Sequence, residues 1–226
     1  MKANERRARR LDAPRTNDRT DGLAIRPYQW IALLITILIT SCAAPDTRHQ
    51  IVVSTREQKL AVLDRGNLMA IYPVSTSKFG LGDWPGSRFT PLGKLEIAKK
   101  VGDNAPPGAV FKDRQRTGEV VLANSPGRDP IVTRILWLRG REPQNALAFS
   151  RYIYIHGTPE ERNIGLPVSY GCIRMRSRDV IELFDIVGTG ARVMIENAPL
   201  EALVPGLTPV ASRIVATREM SPMRIR

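Results

Sequence analysis

Cysteine and histidine are scarce in this 226-residue chain, with two of each: Cys42, Cys172, His49 and His156. Four such residues make no zinc-ligand spacing, so a metal centre built from Cys and His is not expected. Aromatic residues are only 6% of the chain. No basic–aromatic interleaving suited to stacking bases occurs, nor any helix-turn-helix signal, so nothing favours nucleic acid. Internal repeats are absent. Long hydrophobic runs are absent too: the charge-free stretch from Trp30 to Ala44 is short for a membrane span.

What is abundant is positive charge, apolar residues and turn formers. The formal net charge is +12, with 42% hydrophobic residues and 17 each of Gly and Pro. The length suits one good-sized domain with short extras, and the apolar fraction suits a real core. The charge suggests an anionic neighbour, such as lipid head groups or an acidic polymer.

The N-terminus opens with "RRARR", Arg6 to Arg10, and stays basic to Arg26. "WIALLITILITSCAA" follows, apolar and closed by small residues, as in a secretory signal. Its "ITSC" resembles a bacterial lipoprotein box, in which the cysteine is cut free and lipidated. On that reading residues 1–41 are a signal peptide, Cys42 is the lipid-bearing first residue and 42–50 form a tether. An ordinary signal peptide or a single anchor helix is the alternative. Removing residues 1–41 takes away eight cations and four acids, so the net charge falls from +12 to +8 and stays basic. A lipidated Cys42 also leaves Cys172 a lone thiol in an oxidising compartment, where unpaired cysteines usually have a purpose.

After the tether, "IVVSTREQKLAVLDRGNLMAIYPVST" reads as two or three strands with a turn at Asp64–Asn67. Phe79–Gly93 and Gly102–Glu119 read as loops, the first enclosing Trp84 and Thr90. "KLEIAKKV", "IVTRILWLRG", "RYIYIHG" and "ARVMIE" read as strands. One helix is clear. Ser177 is its expected N-cap, Asp179 lies in its first turn, Val180, Leu183, Phe184 and Val187 form its apolar stripe, and Gly188 stops it. From Asn197 the basic tail has no sustained period and is expected to be loosely packed. His49, in the tether, is expected to be idle.

The chemistry concentrates in Ile153–Met175. His156 ends a strand, a Gly/Pro-containing loop follows, and Gly171–Cys172 then precedes Arg174 and the helix. A thiolate is a nucleophile and imidazole is the usual group that activates it. Glycine beside the cysteine lets a substrate approach and leaves amides free for an oxyanion.

These residues resemble the L,D-transpeptidase catalytic domain, or YkuD, family. The correspondence runs through His156-Gly157-Thr158, Ile164-Gly165-Leu166-Pro167, Ser169-Tyr170-Gly171-Cys172-Ile173-Arg174-Met175 and Asp179, with "TPLGKLEI" upstream. It covers residues 51–197 and leaves 198–226 as a tail. The resemblance implies a mainly β fold, a β-sandwich or barrel of mixed sheets with one main helix after the cysteine. It implies acyl transfer on peptidoglycan tetrapeptide stems through a Cys172 thioester, with no metal or cofactor. His156 is the implied general base and later acid, and the Gly157 carbonyl orients its ring. Amides around Gly171 and Cys172 stabilise the oxyanion. Arg174 lies near a substrate carboxylate, and Ser169 and Tyr170 shape the site. Tyr170 departs from the family, which has histidine there, and is expected to serve as a hydrogen-bonding prop. The acceptor is a second stem, a lipoprotein lysine, a D-amino acid or water. Thr90 and Gly93 are read as strand geometry. Trp84 either lines the donor groove or is a buried turn residue. The export signal and lipid box place the protein on the periplasmic face, as an outer-membrane lipoprotein. The alternative is a non-catalytic murein-binding lipoprotein, which has no need of the Cys172–His156 pair.

Overall fold

A computed structural model describes residues 44–207. Residues 1–43, with the expected signal segment and Cys42, and the tail beyond 207 lie outside the described residues. Ten strands form one hydrogen-bonded sheet: β1 (His49–Ser54), β2 (Lys59–Asp64), β3 (Asn67–Pro73), β4 (Gly93–Val101), β5 (Ala109–Lys112), β6 (Gln115–Val120), β7 (Ile131–Gly140), β8 (Tyr154–Gly157), β9 (Ile173–Met175) and β10 (Arg192–Glu196). Two α-helices follow the chemistry-bearing segment, α1 (Ser177–Ile186) and the one-turn α2 (Leu200–Leu203). The strand order is β3-β2-β1-β10-β4-β7-β5-β6, with β8 paired to β7 and β9 to β8. Pairing is mixed: β1–β10 and β8–β9 are parallel, whereas β1–β2 and β4–β7 are antiparallel. The fold is mainly β with one main helix, as the sequence indicates.

Period-2 alternation explains how the sheet buries both faces. In β1, Ile51 and Val53 enter the principal core, while Val52 faces a second cluster with Ala61, Leu63 and Ile71. In β7, Leu136 and Leu138 face the principal core, and Ile135 and Trp137 face a third cluster. Helix α1 closes the principal core with Val180, Leu183 and Phe184. Each fully buried Val, Leu, Ile or Phe among these contributes about 1.5–3 kcal/mol relative to exposure.

Several local expectations are corrected. The helix begins at Ser177 with Arg176, not Ser177, as the N-cap residue. The Ser177 amide is instead satisfied by Glu161 Oε1, 2.8 Å away. The end of the helix agrees with the sequence: Gly188 directly follows the C-cap residue Val187, and Lys100 Nζ donates to the carbonyls of Phe184 (2.6 Å) and Val187 (2.8 Å), a cation placed on the negative end of the helix dipole. The stretch read as a free tether is docked. Asp46 Oδ2 accepts from the Gly188 amide at 2.7 Å, and the Asp46 amide donates to Thr189 O. His49 is not idle: its Nδ1 lies 2.8 Å from Asp46 Oδ2, and the residue opens β1. The second loop contains the β5–β6 hairpin, whose β6 residues are all exposed and so carry no apolar pattern. The tail is packed as far as it is described, with Leu200, Val204 and Leu207 covering the outer face of β1 and β2.

Candidate active site

The pleat of β8 sorts its side chains. Ile155 enters the principal core, so Tyr154 and His156 share the opposite face. Strand β9 runs parallel to β8, with Ile155 opposite Ile173 and His156 opposite Arg174. Cys172, one residue before β9, therefore stands beside Tyr154 and diagonal to His156, at the border of the Tyr154–Trp137–Phe111 cluster. Thiol and imidazole thus emerge on one face from adjacent strands.

His156 is buried, and its Nδ1 lies 2.7 Å from the Gly157 carbonyl. A carbonyl oxygen only accepts, so Nδ1 carries the proton of the neutral ring and Nε2 keeps its lone pair. Burial lowers the imidazole pKa to about 4, and the Arg174 charge pushes the same way against the Gly157 bond. The ring is therefore an uncharged base at neutral pH. Gly157 sits close to β7: a Cβ there would lie 2.7 Å from Val132 O and 3.1 Å from Thr133 Cβ. Thr133 itself is fully buried with φ +72, a left-handed conformation costly for a β-branched residue, within the bulge between Val132 and Ile135.

Cys172 is half-buried, and burial raises its thiol pKa; the Tyr154 amide and the charges of Arg174 and Arg151 oppose that rise. Its Sγ reaches Tyr152 O at 3.5 Å. The resting pair is thus a neutral thiol and a neutral imidazole rather than an ion pair.

The turn before Cys172 is fixed by three contacts. Ser169 Oγ donates to Cys172 O at 2.6 Å and accepts from the Gly171 amide at 3.2 Å. Thr90 Oγ1 donates to Gly171 O at 3.0 Å. Gly171 has φ +121, and a Cβ there would lie 3.2 Å from Phe89 O, so both conformation and space favour glycine. Ser169 and Thr90 are therefore turn-positioning residues, and the Gly171 amide is already engaged. No hydrogen bond uses the Cys172 amide among the described residues.

Arg174 is already ion-paired within the protein. It is buried, with its guanidinium 2.6 Å from Asp129 Oδ2 and 3.9 Å from Glu160 Oε2. Tyr170 is 53% exposed, and its hydroxyl meets Lys78 Nζ at 3.4 Å rather than His156 or Cys172. The prop role expected of it is corrected accordingly. Trp84 is 66% exposed and lines an open concavity of about 410 Å³ with Leu81, Leu92, Pro143 and Gln144, so it is not a buried turn residue.

Sequence reasoning missed Arg151 and Asp83. The Arg151 guanidinium donates to Ser87 O (2.8 Å) and Phe89 O (2.9 Å) and pairs with the buried Asp83 carboxylate, tying down the Gly/Pro-rich loop beside Cys172. It missed Arg114 as well, which reaches the Tyr154 hydroxyl and stacks over Trp137 and Tyr152. Tyr152 and Tyr154 alternate with His156 in "RYIYIHG", a signal that could have placed them on its face; Arg151 and Asp83 carry none. Among the described residues, no three His, Cys, Asp or Glu side chains gather where they could hold a metal ion.

A thiol and an uncharged imidazole on one face of a mixed sheet are the two groups that cysteine-nucleophile chemistry draws on. The family model of the YkuD L,D-transpeptidase catalytic domain matches residues 48–195, and the chain belongs to that family. It is 31% identical over 168 residues to the protein named Probable L,D-transpeptidase YbiS of Escherichia coli K12, covering 70% of this chain and 48% of that one. It is 29% identical over 167 residues to Probable L,D-transpeptidase ErfK/SrfK of Salmonella typhimurium, covering 70% and 47%. The chain thus spans about half the length of these relatives. A solved L,D-transpeptidase from Mycobacterium smegmatis is similar over 66% of this chain and 58% of its own, with a TM-score of 0.44 at 19% identity.

Proposed function

We propose that the protein is a cysteine-dependent L,D-transpeptidase that acts on peptidoglycan tetrapeptide stems through a thioester on Cys172. One observation carries the reading: His156, held by Gly157 O in the Nδ1–H tautomer, keeps a lone pair on Nε2 on the same sheet face as the Cys172 thiol. The Sγ proton passes to Nε2 as Sγ bonds the carbonyl carbon of the third stem residue. The amide C–N bond breaks, and the departing D-alanine nitrogen takes the proton from Nε2. An acceptor amine then gives its proton to Nε2 and attacks the thioester. Sγ leaves and recovers the proton. The Cys172 amide is the oxyanion donor in this scheme, because the Gly171 amide is bound to Ser169 Oγ.

Incubation of the protein with tetrapeptide-rich peptidoglycan tests the reading. Mass spectrometry should find new 3-3 cross-linked muropeptides with wild type and none with Cys172→Ala. Loss of terminal D-alanine without amine transfer would make the protein a hydrolase. No Cys172-dependent product at all would favour a non-catalytic murein-binding protein.

The periplasmic, lipid-anchored placement is a further part of the proposal and rests on "ITSC" at Cys42. A single acyl chain binds only marginally, so stable anchoring takes a second chain or a basic patch beside it. Membrane fractionation of wild type and Cys42→Ala should differ; identical behaviour would refute the anchor.

A further inference from the structure

Three cations surround the Tyr170 ring, two residues before the cysteine. Lys78 Nζ stands 4.7 Å from its centroid, Arg88 Cζ 5.4 Å and Arg174 Cζ 5.8 Å. Only Arg174 is neutralised, by Asp129 and Glu160. Among the described residues, neither Lys78 nor Arg88 has a carboxylate partner within 4.0 Å, and both are exposed. The Phe79 ring completes the floor. It lies 5.5 Å from Tyr170, with Lys78 at 5.2 Å and Arg88 at 5.4 Å from its own centroid.

The backbone fixes this cluster to the cysteine turn. The Lys78 amide donates to Ser169 O at 3.1 Å. The Arg88 and Phe89 carbonyls pass within 3.4 Å of where a Gly171 Cβ would lie. Arg151 holds the Arg88-bearing loop through Ser87 O and Phe89 O. Two cations are thus positioned on the Tyr170 ring, beside the turn that carries Cys172, with no acid among the described residues to meet them. Aromatic faces hold them only loosely, since exposed cation–π contacts are weak. Planar carboxylates are the natural complement of an arginine fork with a neighbouring ammonium.

We propose that Lys78 and Arg88, seated on Tyr170 and Phe79, form a carboxylate-recognising subsite for the peptide held at Cys172. The inference rests on the transpeptidase reading for the identity of that peptide. It moves substrate-carboxylate recognition from Arg174, which is ion-paired, to two residues that have no carboxylate partner among the described residues. It also accounts for the tyrosine at 170: an uncharged ring face can carry two cations beside the nucleophile, whereas a protonatable imidazole would repel them.

Equilibrium binding tests the subsite apart from the chemistry. In a Cys172→Ala background, a tetrapeptide stem with free carboxylates is titrated against the same peptide with its carboxylates amidated. The free form should bind about tenfold more tightly, the scale of two partly exposed charge-assisted contacts. The preference should vanish in Lys78→Gln/Arg88→Gln. It should persist in Arg56→Gln/Arg192→Gln, which removes two exposed charges, one in the β1–β2 turn and one on β10, and controls for net charge. Both pairs are exposed, and melting curves report whether each variant is folded. Equal binding of the two peptides, no binding of either, or a preference that survives Lys78→Gln/Arg88→Gln would overturn the proposal. Acylation of wild type by the free peptide is read separately. Its absence sinks the transpeptidase reading, while the binding comparison still decides the subsite.

Discussion

Acidification should destabilise this protein through one residue, His156. Burial holds its imidazole at a pKa of about 4, against roughly 6.5 in an unfolded chain. The folded state therefore binds fewer protons than the unfolded state between those values. Stability from this residue is complete above pH 6.5 and is lost as the pH falls towards 4. At 1.36 kcal/mol per pKa unit the full loss is about 3 kcal/mol, with most of it reached by pH 4.5. Few other groups confuse that window. Asp46, whose carboxylate pKa is lowered to about 2, contributes stability that is lost only below its unfolded value near 3.8. Asp179 is raised by burial, so it opposes the trend slightly as the pH falls. Urea unfolding of wild type and His156→Asn at pH 7, 6, 5 and 4.5 isolates the effect. The asparagine Nδ2 can replace Nδ1 in the bond to Gly157 O but does not titrate. Wild type should lose about 2–3 kcal/mol more than the variant over this range. Parallel pH dependences would refute the buried, neutral imidazole. The same pKa places the acid limb of the acylation rate near pH 4; half-loss near pH 6.5 would mean that the ring is solvated.

Three further outcomes follow from the turn and loop contacts. Arg151→Met should destabilise the fold by about 3–5 kcal/mol, because the Asp83 carboxylate, 2% exposed, is left without its cation; Asp83→Asn in the same chain should recover part of the loss in thermal melts. Gly171→Ala should cost about 1–3 kcal/mol for a residue at φ +121, and the displaced turn should slow acylation at least tenfold (about 1.4 kcal/mol) in stopped-flow assays. Tyr170→Phe keeps the ring and loses only a 3.4 Å contact to Lys78, so its acylation rate should stay within about twofold of wild type; a larger fall would restore the hydroxyl-prop role.

The legible part of the sequence was the part with a period or a motif. Strands β1–β4, β7, β8 and β10 and the stripe of α1 show it, because alternation and 3.6-residue spacing record which face is buried. Strand β9 was hidden: three residues inside a glycine-cysteine motif cannot show alternation. Hairpin β5–β6 was hidden because β6 is exposed throughout, so its pairing leaves no mark on composition. At the site, His156 and Cys172 were readable as a candidate pair from their chemistry, and Gly157 only from the family resemblance. The surroundings of Gly171 and Arg174 were not, since each depends on a partner distant in sequence, Thr90 for Gly171 and Asp129 for Arg174. Arg174 is taken by Asp129, 45 positions away in the chain. Arg151 is joined to Asp83 across 68 positions. A motif names residue types, and only the fold shows which charges are already neutralised.

The central claim is that Cys172 carries the acyl group. Intact-protein mass spectrometry after brief incubation with a tetrapeptide donor measures this directly. Wild type should gain the mass of the donor less its terminal D-alanine, on the peptide that contains Cys172, and Cys172→Ala should gain nothing. The same adduct on Cys172→Ala, or an adduct mapped to another residue of wild type, would contradict the account.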